Sequence, residues 1–363
     1  MAPSDYIAAR LNGNKDDERY HVIVDERPYL PFLIVDPMKE DTICLSASMI
    51  VDNSTEYPLD LKVSKISGGI TNQLYRVSGL CTTADVLVRL FGAEGMIDRN
   101  IENATYAALA RVQLAPKYFG RFANGRIEQW LTARPLEVCE LPLFHKAIAR
   151  QLGHLHSEFK VPPHLTDYHN PSKPALWTQI LAWMQQALQA KFLSQEDTER
   201  AQALDLSQIE RELTWLKDEV VPENAQVAFC HNDVLAANIL LLQQGDIQLI
   251  DFEYDGVNYT AFDIANHFNE YAGGTDTAVP NYDWFPSEQL QTEFVTEYLE
   301  ASSSPLTVDS MLEQVHAFVM VNHLYWGLWA VNQASTEGCN DFDYLLYSSH
   351  RIGQYYKCKA ARM

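Results

Sequence analysis

Two kinds of hydrophobic pattern divide the chain. From about residue 20 to about residue 130, short runs rich in β-branched and aromatic residues are bounded by Gly, Asn or Asp, which is typical of strands. The predicted strands are YHVIV, LKVSKI, QLYRV, DVLVRLFG and RIEQWL. One helix is predicted among them, DRNIENATYAALARV, with Asp98 as its N-cap.

Helical periodicity dominates the second part of the chain. The predicted helices are LFHKAIARQLGHLHSEF, PALWTQILAWMQQALQAKF, DLSQIERELTWLKDEV and MLEQVHAFVMVNHLYWGLWAVNQA. A hairpin at 239–250, turning at QQGD, interrupts them. We therefore predict an α+β fold with three parts: a loosely ordered N-terminus at 1–20, a small sheet-rich lobe at 21–131 and a larger, mainly helical lobe at 132–363.

Composition narrows the class of protein. The 363 residues carry a net charge of −21, from 48 acids against 27 Lys and Arg, which argues against nucleic-acid binding and a polybasic membrane anchor. The six cysteines form no C-x-x-C pair and are expected to be free thiols. No signal peptide or membrane span is predicted, so we expect a cytoplasmic protein. The oligomeric state stays open, a homodimer included.

Polar residues stand at both open ends of the apolar hairpin, where an ordinary hairpin needs none. Asp233 lies in CHND, before Asn238, and Asp251 opens DFEY after the hairpin. An H-x-D-x-x-x-x-N segment followed by a hairpin and D-F-x is the pattern of a kinase catalytic loop with altered letters. Phosphoryl transfer requires a base for the attacking hydroxyl and metal ligands at one point.

The chemistry of these residue types suggests a role for each. Asp233 would accept or orient the hydroxyl proton of the substrate. Asn238 and Asp251 would supply oxygen ligands to Mg²⁺, and Glu253 could be a further direct or outer ligand. The alternative is that the aspartates are turn or capping residues, but their combined spacing favours catalysis. For His231, support of the loop through hydrogen bonds and plain packing are equally open.

The chain resembles the choline and ethanolamine kinase family, part of the wider kinase-like fold, in the segments FCHNDVLAANILLL, IQLIDFEYDGVNYTAFDIANHFNEYAG and HLYWGLWAVNQA. The resemblance extends to GGITNQLYRV, VLVRLFG and LAPKYFGRFANGRIEQWL, with the segments in the expected order. It implies a protein-kinase-like two-lobe fold, ATP and Mg²⁺ as cofactors, and a small amino-alcohol as the substrate.

Candidate ATP-binding residues lie in the first lobe. The Gly-rich segment SKISGGITNQLYRV could offer backbone N–H groups to phosphate, although an ordinary hairpin turn is the alternative. Arg89 could grip phosphate through two N–H groups, with Glu102 as the partner that orients it; an incidental surface ion pair is the alternative. The resemblance favours the functional interpretation, and the connection around Trp130 could meet the adenine edge. The candidate ATP-binding set is Gly68, Gly69, Ile70, Thr71, Asn72, Arg89, Glu102, Gln129 and Leu131.

A cationic alcohol needs carboxylates, aromatic faces or both in its binding site. Trp326 and Trp329 are i and i+3 on one predicted helix and therefore share a face. The resemblance implies that Glu270 and these tryptophans line the head-group pocket, while ordinary core packing is the alternative for the tryptophans. Phe342 and Tyr347 are weaker candidates for this pocket. Asp263 is expected to support the catalytic loop structurally.

Two features favour ethanolamine over choline. Leu235, two residues after Asp233, resembles ethanolamine kinases, whereas choline kinases usually carry glutamine there, and NEYAGGTD resembles the NE-aromatic-AG run of ethanolamine kinases. We therefore interpret the chain as a kinase that makes phosphoethanolamine, the first step of the CDP-ethanolamine route to phosphatidylethanolamine. A choline or dual-specificity kinase is the nearest alternative, and a kinase-like binding scaffold or an aminoglycoside phosphotransferase is a weaker one. The candidate substrate-binding set is Asp233, Leu235, Glu270, Trp326 and Trp329.

Overall fold

The structure is a computed structural model that describes residues 22–54, 60–66, 72–81, 84–92 and 98–362. The chain divides into two units, Met1–Thr132 and Ala133–Met363, which are described separately. The N-terminal segment 1–20 lies outside the described residues, as do Gly68, Gly69, Ile70 and Thr71 of the predicted phosphate loop. The roles predicted for the lobes stay predictions.

A seven-stranded sheet forms the centre of the first unit. Its spatial order is β1-β2-β6-β7-β5-β4-β3, and every neighbouring pair is antiparallel except β2 with β6, which is parallel. β2 and β6 were not predicted because Pro28 and Gly120 are poor strand residues that mask the pattern. The strands are β1 (Val22–Val24), β2 (Arg27–Leu30), β3 (Lys62–Ile66), β4 (Asn72–Ser78), β5 (Val86–Phe91), β6 (Tyr118–Phe122) and β7 (Gly125–Gln129).

Two helices accompany this sheet among the described residues, α1 (Glu40–Val51) and α2 (Arg99–Arg111). The predicted cap of α2 is confirmed, because the side chain of Asp98 accepts hydrogen bonds from the backbone N–H of Asn100 at 2.9 Å and of Ile101 at 3.4 Å. The prediction of a single helix was wrong. α1 is buried continuously from Thr42 to Ile50, so its sequence has no periodic polar face to reveal a helix.

Helices make up most of the second unit, and the predicted helices and the predicted hairpin are confirmed. The hairpin pairs Ile239 with Leu249 and turns at Gly245, whose φ of +94° favours glycine. The helices are α3 (Leu141–Glu158), α4 (Leu176–Gln189), α5 (Gln195–Gln202), α6 (Leu206–Trp215), α7 (Thr260–Glu270), α8 (Glu288–Ser302), α9 (Val308–Glu337) and α10 (Tyr344–Arg362). The strands are β8 (Ala133–Pro135), β9 (Val227–Cys230), β10 (Ile239–Leu242), β11 (Ile247–Leu249) and β12 (Gly256–Tyr259).

The strands of the second unit are short and form two small sheets, β11-β10-β8 and β12-β9. α9 is the central core helix of this unit, since its residues are buried on every side from Ala317 to Leu328. Of the helices that the described residues form, none has the length and hydropathy needed to span a membrane. The six cysteines are free thiols, as expected.

α3 and α8 approach closely at Gly153. A Cβ atom at this position would lie 2.7 Å from Cβ of Ala301 and 3.0 Å from backbone atoms of Tyr298 and Ser302. These atoms belong to the helix backbone or are rigidly attached to it, so they cannot move aside without shifting α8. The contact therefore requires glycine despite its poor helix propensity.

We expect Gly153→Ala to lower the free energy of unfolding by about 1–3 kcal/mol, because overpacking outweighs the gain in helix propensity. Gly353→Ala is the matched control, since Gly353 lies inside α10 with no atom within 4 Å of an added Cβ. That variant should be more stable than the natural protein by about 0.5–1 kcal/mol. Thermal and urea unfolding measure both effects. Equal stabilisation by the two substitutions would contradict the close approach of α3 and α8.

Candidate active site

The two ends of the hairpin bring predicted catalytic residues together in the second unit. The Nδ2 atom of Asn238 donates to the carbonyl oxygen of Asp233 at 3.0 Å and to its Oδ2 at 3.1 Å. At the other strand, the backbone N–H of Ile250 donates to the carbonyl oxygen of Asn238 at 3.0 Å. Asp251 follows directly, and its charge acts on Asp233. Residues that are distant in the sequence thus share one end of the hairpin.

Backbone strain occurs on both sides of this arrangement. Asn232 has a φ of +67° and Asp251 a φ of +64°, in the left-handed region that non-glycine residues rarely adopt. The side chain of Asn232 donates to the carbonyl oxygen of Tyr254 at 2.9 Å and accepts from Nδ2 of Asn258 at 2.8 Å. Asn232 therefore ties the catalytic loop to the DFEY segment. Sequence analysis did not identify this role.

One face of α7 holds the backbone of the catalytic loop. Oδ2 of Asp263 accepts from the backbone N–H of His231 and Oδ1 from that of Asn232, both at 2.8 Å. One turn later, Oδ1 of Asn266 accepts from the N–H of Val234 at 2.7 Å. The expectation that Asp263 supports the loop matches this geometry.

His267 and Glu270 continue the same face of α7, because they follow Asp263 at i+4 and i+7. Nδ1 of His267 donates to the carbonyl oxygen of Val234 at 3.0 Å. Glu270 ends the helix with a side chain that is only 4% exposed, and its charge acts on Asp233. A single helix face therefore positions both the loop that carries Asp233 and the carboxylate predicted to bind the alcohol.

Asp263 remains ionised in a fully buried position. Burial opposes ionisation, but hydrogen bonds and charge from His156, together with His231, outweigh it and lower the pKa of Asp263. His156 is held in turn by Tyr298, with 2.8 Å between Nδ1 and the hydroxyl oxygen. Cys230 lies beside the pair, but its thiol donates to backbone carbonyls. These groups are satisfied by protein partners and form a scaffold.

His231 supports the loop through both ring nitrogens. Nε2 lies 2.9 Å from the carbonyl oxygen of Ile250, and Nδ1 accepts from the backbone N–H of Asp233 at 3.3 Å. The two contacts require the neutral tautomer with its proton on Nε2. Burial agrees with this state, because it lowers the pKa of His231. Hydrogen-bonded support is thus favoured over packing alone.

Asp233 lies in a concentration of negative charge. Burial is the largest cause that raises its pKa well above the ordinary value, followed by the charges of Glu270, Glu253 and Asp251. Four acids that repel one another in one place are stabilised when cations bind there. The arrangement therefore suits bound cations, such as a metal ion or an ammonium group.

The donor set fits a divalent ion such as Mg²⁺. Asn238 uses its Nδ2 on Asp233, which leaves Oδ1 as an acceptor. Asp251 adds a carboxylate, and Glu253 lies two residues further on. Carboxylate and amide oxygens are the ligands that Mg²⁺ prefers, and the bound ion would neutralise phosphate oxygens.

Aromatic rings form a wall next to the DFEY segment. Trp326 packs edge-on against Tyr254 with ring centroids 5.3 Å apart, and Nε1 of Trp329 donates to the Tyr254 hydroxyl at 3.1 Å. The row continues through Tyr344, Phe342 and Tyr347. Trp326 is buried and Trp329 half-buried, so the tryptophans are core residues, and both contact Tyr254, on which the charges of Glu253 and Asp233 act. Tyr254 was missed, although its place directly after DFE could have identified it.

Leu235 and Arg351 each bind a residue that acts on Asp233. Leu235 is half-buried, and its carbonyl oxygen accepts from the N–H of Asn238 at 3.0 Å. Nη1 of Arg351 donates to Oε1 of Glu270 at 3.2 Å. Arg351 was not predicted, because it lies on the last helix and no local motif includes it.

In the first unit, Arg89 belongs to a buried chain of charges. Nε of Arg89 donates to Oε1 of Glu128 at 2.9 Å, and Nε of Arg126 donates to the same oxygen at 2.6 Å. Burial opposes ionisation of Glu128, but the two guanidinium groups lower its pKa to about 2. Nη1 of Arg126 also donates to Oε1 of Glu102 at 2.7 Å. The expected direct partner, Glu102, is thus linked to Arg89 through Arg126 and Glu128.

The other predicted ATP-binding residues of this unit lie at strand ends. Asn72 begins β4, and its Oδ1 accepts from the N–H of Gly92 at 3.4 Å. Gln129 ends β7 and contacts Lys117 through its backbone N–H at 2.8 Å and its side chain at 3.3 Å. Leu131 follows and is half-buried. Their contact with ATP stays a prediction.

Comparisons with known proteins identify one family. The family model for choline/ethanolamine kinase matches residues 63–356. The chain is 33% identical to a probable ethanolamine kinase of Arabidopsis thaliana, over 82% of this chain and 79% of that protein. It is 32% identical to ethanolamine kinase 1 of Mus musculus, over 83% of this chain and 85% of that protein. A solved structure of a Plasmodium vivax ethanolamine kinase has a similar fold, with a TM-score of 0.77 and 24% identity over 98% of this chain and 94% of that one.

The fold is protein-kinase-like, and the ends of the hairpin carry the residues that we predict for phosphoryl transfer. The chain belongs to the choline/ethanolamine kinase family. Both the predicted fold class and the resemblance are thereby confirmed.

We expect Asp263→Asn to destabilise the protein by about 1–3 kcal/mol, because whichever way the amide turns, one buried backbone N–H loses its acceptor. Turnover should fall as well, since the loop that carries Asp233 is no longer held. Asp276→Asn removes the same charge at an exposed position and is the control. Urea unfolding and steady-state kinetics test this expectation. Natural stability and turnover in Asp263→Asn would show that α7 does not hold the loop.

Proposed function

We propose that the protein transfers the γ-phosphoryl group of ATP to the hydroxyl of ethanolamine, giving phosphoethanolamine and ADP. The observation that supports this proposal is the acidic cluster around Asp233, which joins a metal-type donor set, Asn238 and Asp251, to Glu270 beside an aromatic wall. The printed names of the relatives described above point to the same alcohol.

In this proposal each charged residue has one task in the reaction. Asp233 accepts a hydrogen bond from the substrate hydroxyl and takes its proton as the oxygen attacks the γ-phosphorus. The bond from the γ-phosphorus to the bridging oxygen breaks, and ADP leaves. Asn238, Asp251 and Glu253 hold Mg²⁺ in the second unit, and Arg89 of the first unit binds phosphate oxygens.

Glu270 and the two tryptophans would bind the amine end of the alcohol. A primary ammonium has three N–H donors and is best matched by carboxylate oxygens, which the cluster offers in excess. Choline is the second candidate, because the rings of Tyr254, Trp326 and Trp329 could stabilise a trimethylammonium through cation–π contacts. The side chain of Leu235 offers no acceptor to either alcohol.

The cellular setting belongs to this proposal too. Six free thiols suit a reducing cytoplasm, where phosphoethanolamine would enter the CDP-ethanolamine route to phosphatidylethanolamine. A homodimer stays a prediction.

An ADP-release assay with ATP and Mg²⁺ tests the substrate. We expect ethanolamine to give the highest kcat/KM, choline a lower value and an aminoglycoside no turnover, because the carboxylates favour a small primary ammonium. A higher kcat/KM for choline than for ethanolamine would show that choline is the preferred substrate. Absence of ADP release with all three compounds would contradict a kinase and support a binding scaffold.

Asp233→Asn and Asp251→Asn should fail in different ways. The first variant should lose about 10²–10⁴-fold in kcat, because the amide cannot take a proton, while Mg²⁺-dependent nucleotide binding is retained. The second should lose the dependence of nucleotide affinity on Mg²⁺, because it lacks a carboxylate ligand. Single-turnover kinetics and calorimetric titration of ATP with and without Mg²⁺ separate the two. Near-natural kcat in Asp233→Asn would remove Asp233 from the chemistry.

A further inference from the structure

Glu270 has a carboxylate that one side chain orients. Among the described residues, only Arg351 donates a hydrogen bond to it, from Nη1 to Oε1 at 3.2 Å. Burial raises the pKa of Glu270 above its ordinary value, and the charge and hydrogen bond of Arg351 offset only part of this rise. A carboxylate this deeply buried is expected to need a cation beside it if it is to stay charged before the substrate arrives.

Arg351 is itself fixed by three helices. Its side chain is 1% exposed, and Nη1 also lies 3.3 Å from the hydroxyl oxygen of Tyr347 on α10. Nη2 donates to Oδ1 of Asn322 on α9 at 2.6 Å and to the carbonyl oxygen of the same residue at 3.3 Å. Oδ1 of Asn322 accepts from Asn269 of α7 as well, at 2.9 Å. The guanidinium plane is therefore locked before it meets Glu270.

This lock joins the elements that carry the candidate alcohol site. α7 contributes Glu270, α9 contributes Trp326 and Trp329, and the start of α10 contributes Tyr347. An arginine that merely filled space would not need acceptors on all three helices. Replacing a buried ion pair by apolar groups often stabilises a protein, so stability alone is a weak explanation for the pair.

We propose that Arg351 is a positioning residue that holds Oε1 of Glu270 and so presents Oε2 to the ammonium group of the alcohol substrate. The inference rests on the proposed function and adds a source of selectivity to it. A primary ammonium donates directional N–H bonds and gains from an oriented oxygen. A trimethylammonium has no such donors and depends on charge and aromatic faces, so orientation matters less for it.

The test uses Arg351→Gln and Arg351→Lys in the full-length protein, with kcat and KM measured for ethanolamine, choline and ATP. We expect Arg351→Gln to raise the KM for ethanolamine by about 10- to 100-fold, the loss that corresponds to one hydrogen bond with a charged group. The KM for choline should rise less, and the KM for ATP should not change. Arg351→Lys keeps the charge but cannot reach acceptors on Glu270, Asn322 and Tyr347 at once. Its KM should therefore rise most for ethanolamine, less for choline and not for ATP, with smaller changes than in Arg351→Gln.

Arg150→Gln is the matched control. Arg150 of α3 donates to Glu297 of α8 at 2.6 Å, so this variant also breaks an Arg–Glu pair between helices, but at an exposed place. Its kinetic constants should equal those of the natural protein. Arg351→Lys decides the question if Arg351→Gln does not fold.

A double-mutant cycle with Glu270→Gln separates positioning from general damage. If Arg351 acts through Glu270, adding Arg351→Lys to Glu270→Gln should change the KM for ethanolamine little further. Additive effects, or equal increases in KM for ethanolamine, choline and ATP, would overturn the inference. A natural protein that phosphorylates neither alcohol would instead overturn the proposed function and the inference with it. Turnover of the natural protein therefore distinguishes the two failures.

Discussion

The buried carboxylate of Asp263 is the interaction on which the second unit depends. Its two oxygens accept the successive backbone N–H groups of His231 and Asn232, which would otherwise be unpaired in the interior. The contact also permits Asn232 to keep a φ of +67°, because two fixed hydrogen bonds offset the local strain. Since Asp263 is fully buried, His156 must accompany it as a hydrogen-bond donor. The catalytic loop thus inherits the rigidity of α7.

The same helix explains why so many acids can stand close together. α7 holds the backbone of the catalytic loop, so Asp233 and Glu270 cannot move apart to relieve their repulsion. The folded protein therefore keeps an unfavourable repulsion between these carboxylates, which bound cations reduce. Arg351 supplies one fixed positive charge at Glu270. The negative charge that Arg351 does not compensate can attract a metal ion and a cationic substrate. In the proposed function, specificity then follows from how the carboxylate oxygens are oriented.

In the first unit the buried charges of the sheet include two arginines, which are paired with glutamates. Glu128 accepts from both Arg89 and Arg126, and Arg126 reaches Glu102 on α2. Alternation of sign along this chain compensates part of the desolvation of each group. One consequence is that Arg89 is held at Nε, in a fixed orientation, by a residue of a neighbouring strand. The orientation of Arg89, which we predict to bind phosphate, is then set by the sheet rather than by a flexible surface pair.

Local pattern was sufficient for much of this protein, and tertiary contact decided the rest. Helical periodicity, the turn at Gly245 and the cap at Asp98 are effects of neighbouring residues, so the sequence by itself determined half of the described helices, the hairpin and the spacing of Asp233, Asn238 and Asp251. α1 was not predicted, because a fully buried helix lacks the polar face that marks a helix in a sequence. The ion-pair partners of Glu270 and Arg89 were not predicted for a different reason. An ion pair is chosen by distance in space, and only packing of α7, α9 and α10, or register of β5 against β7, brings those charges within hydrogen-bonding distance.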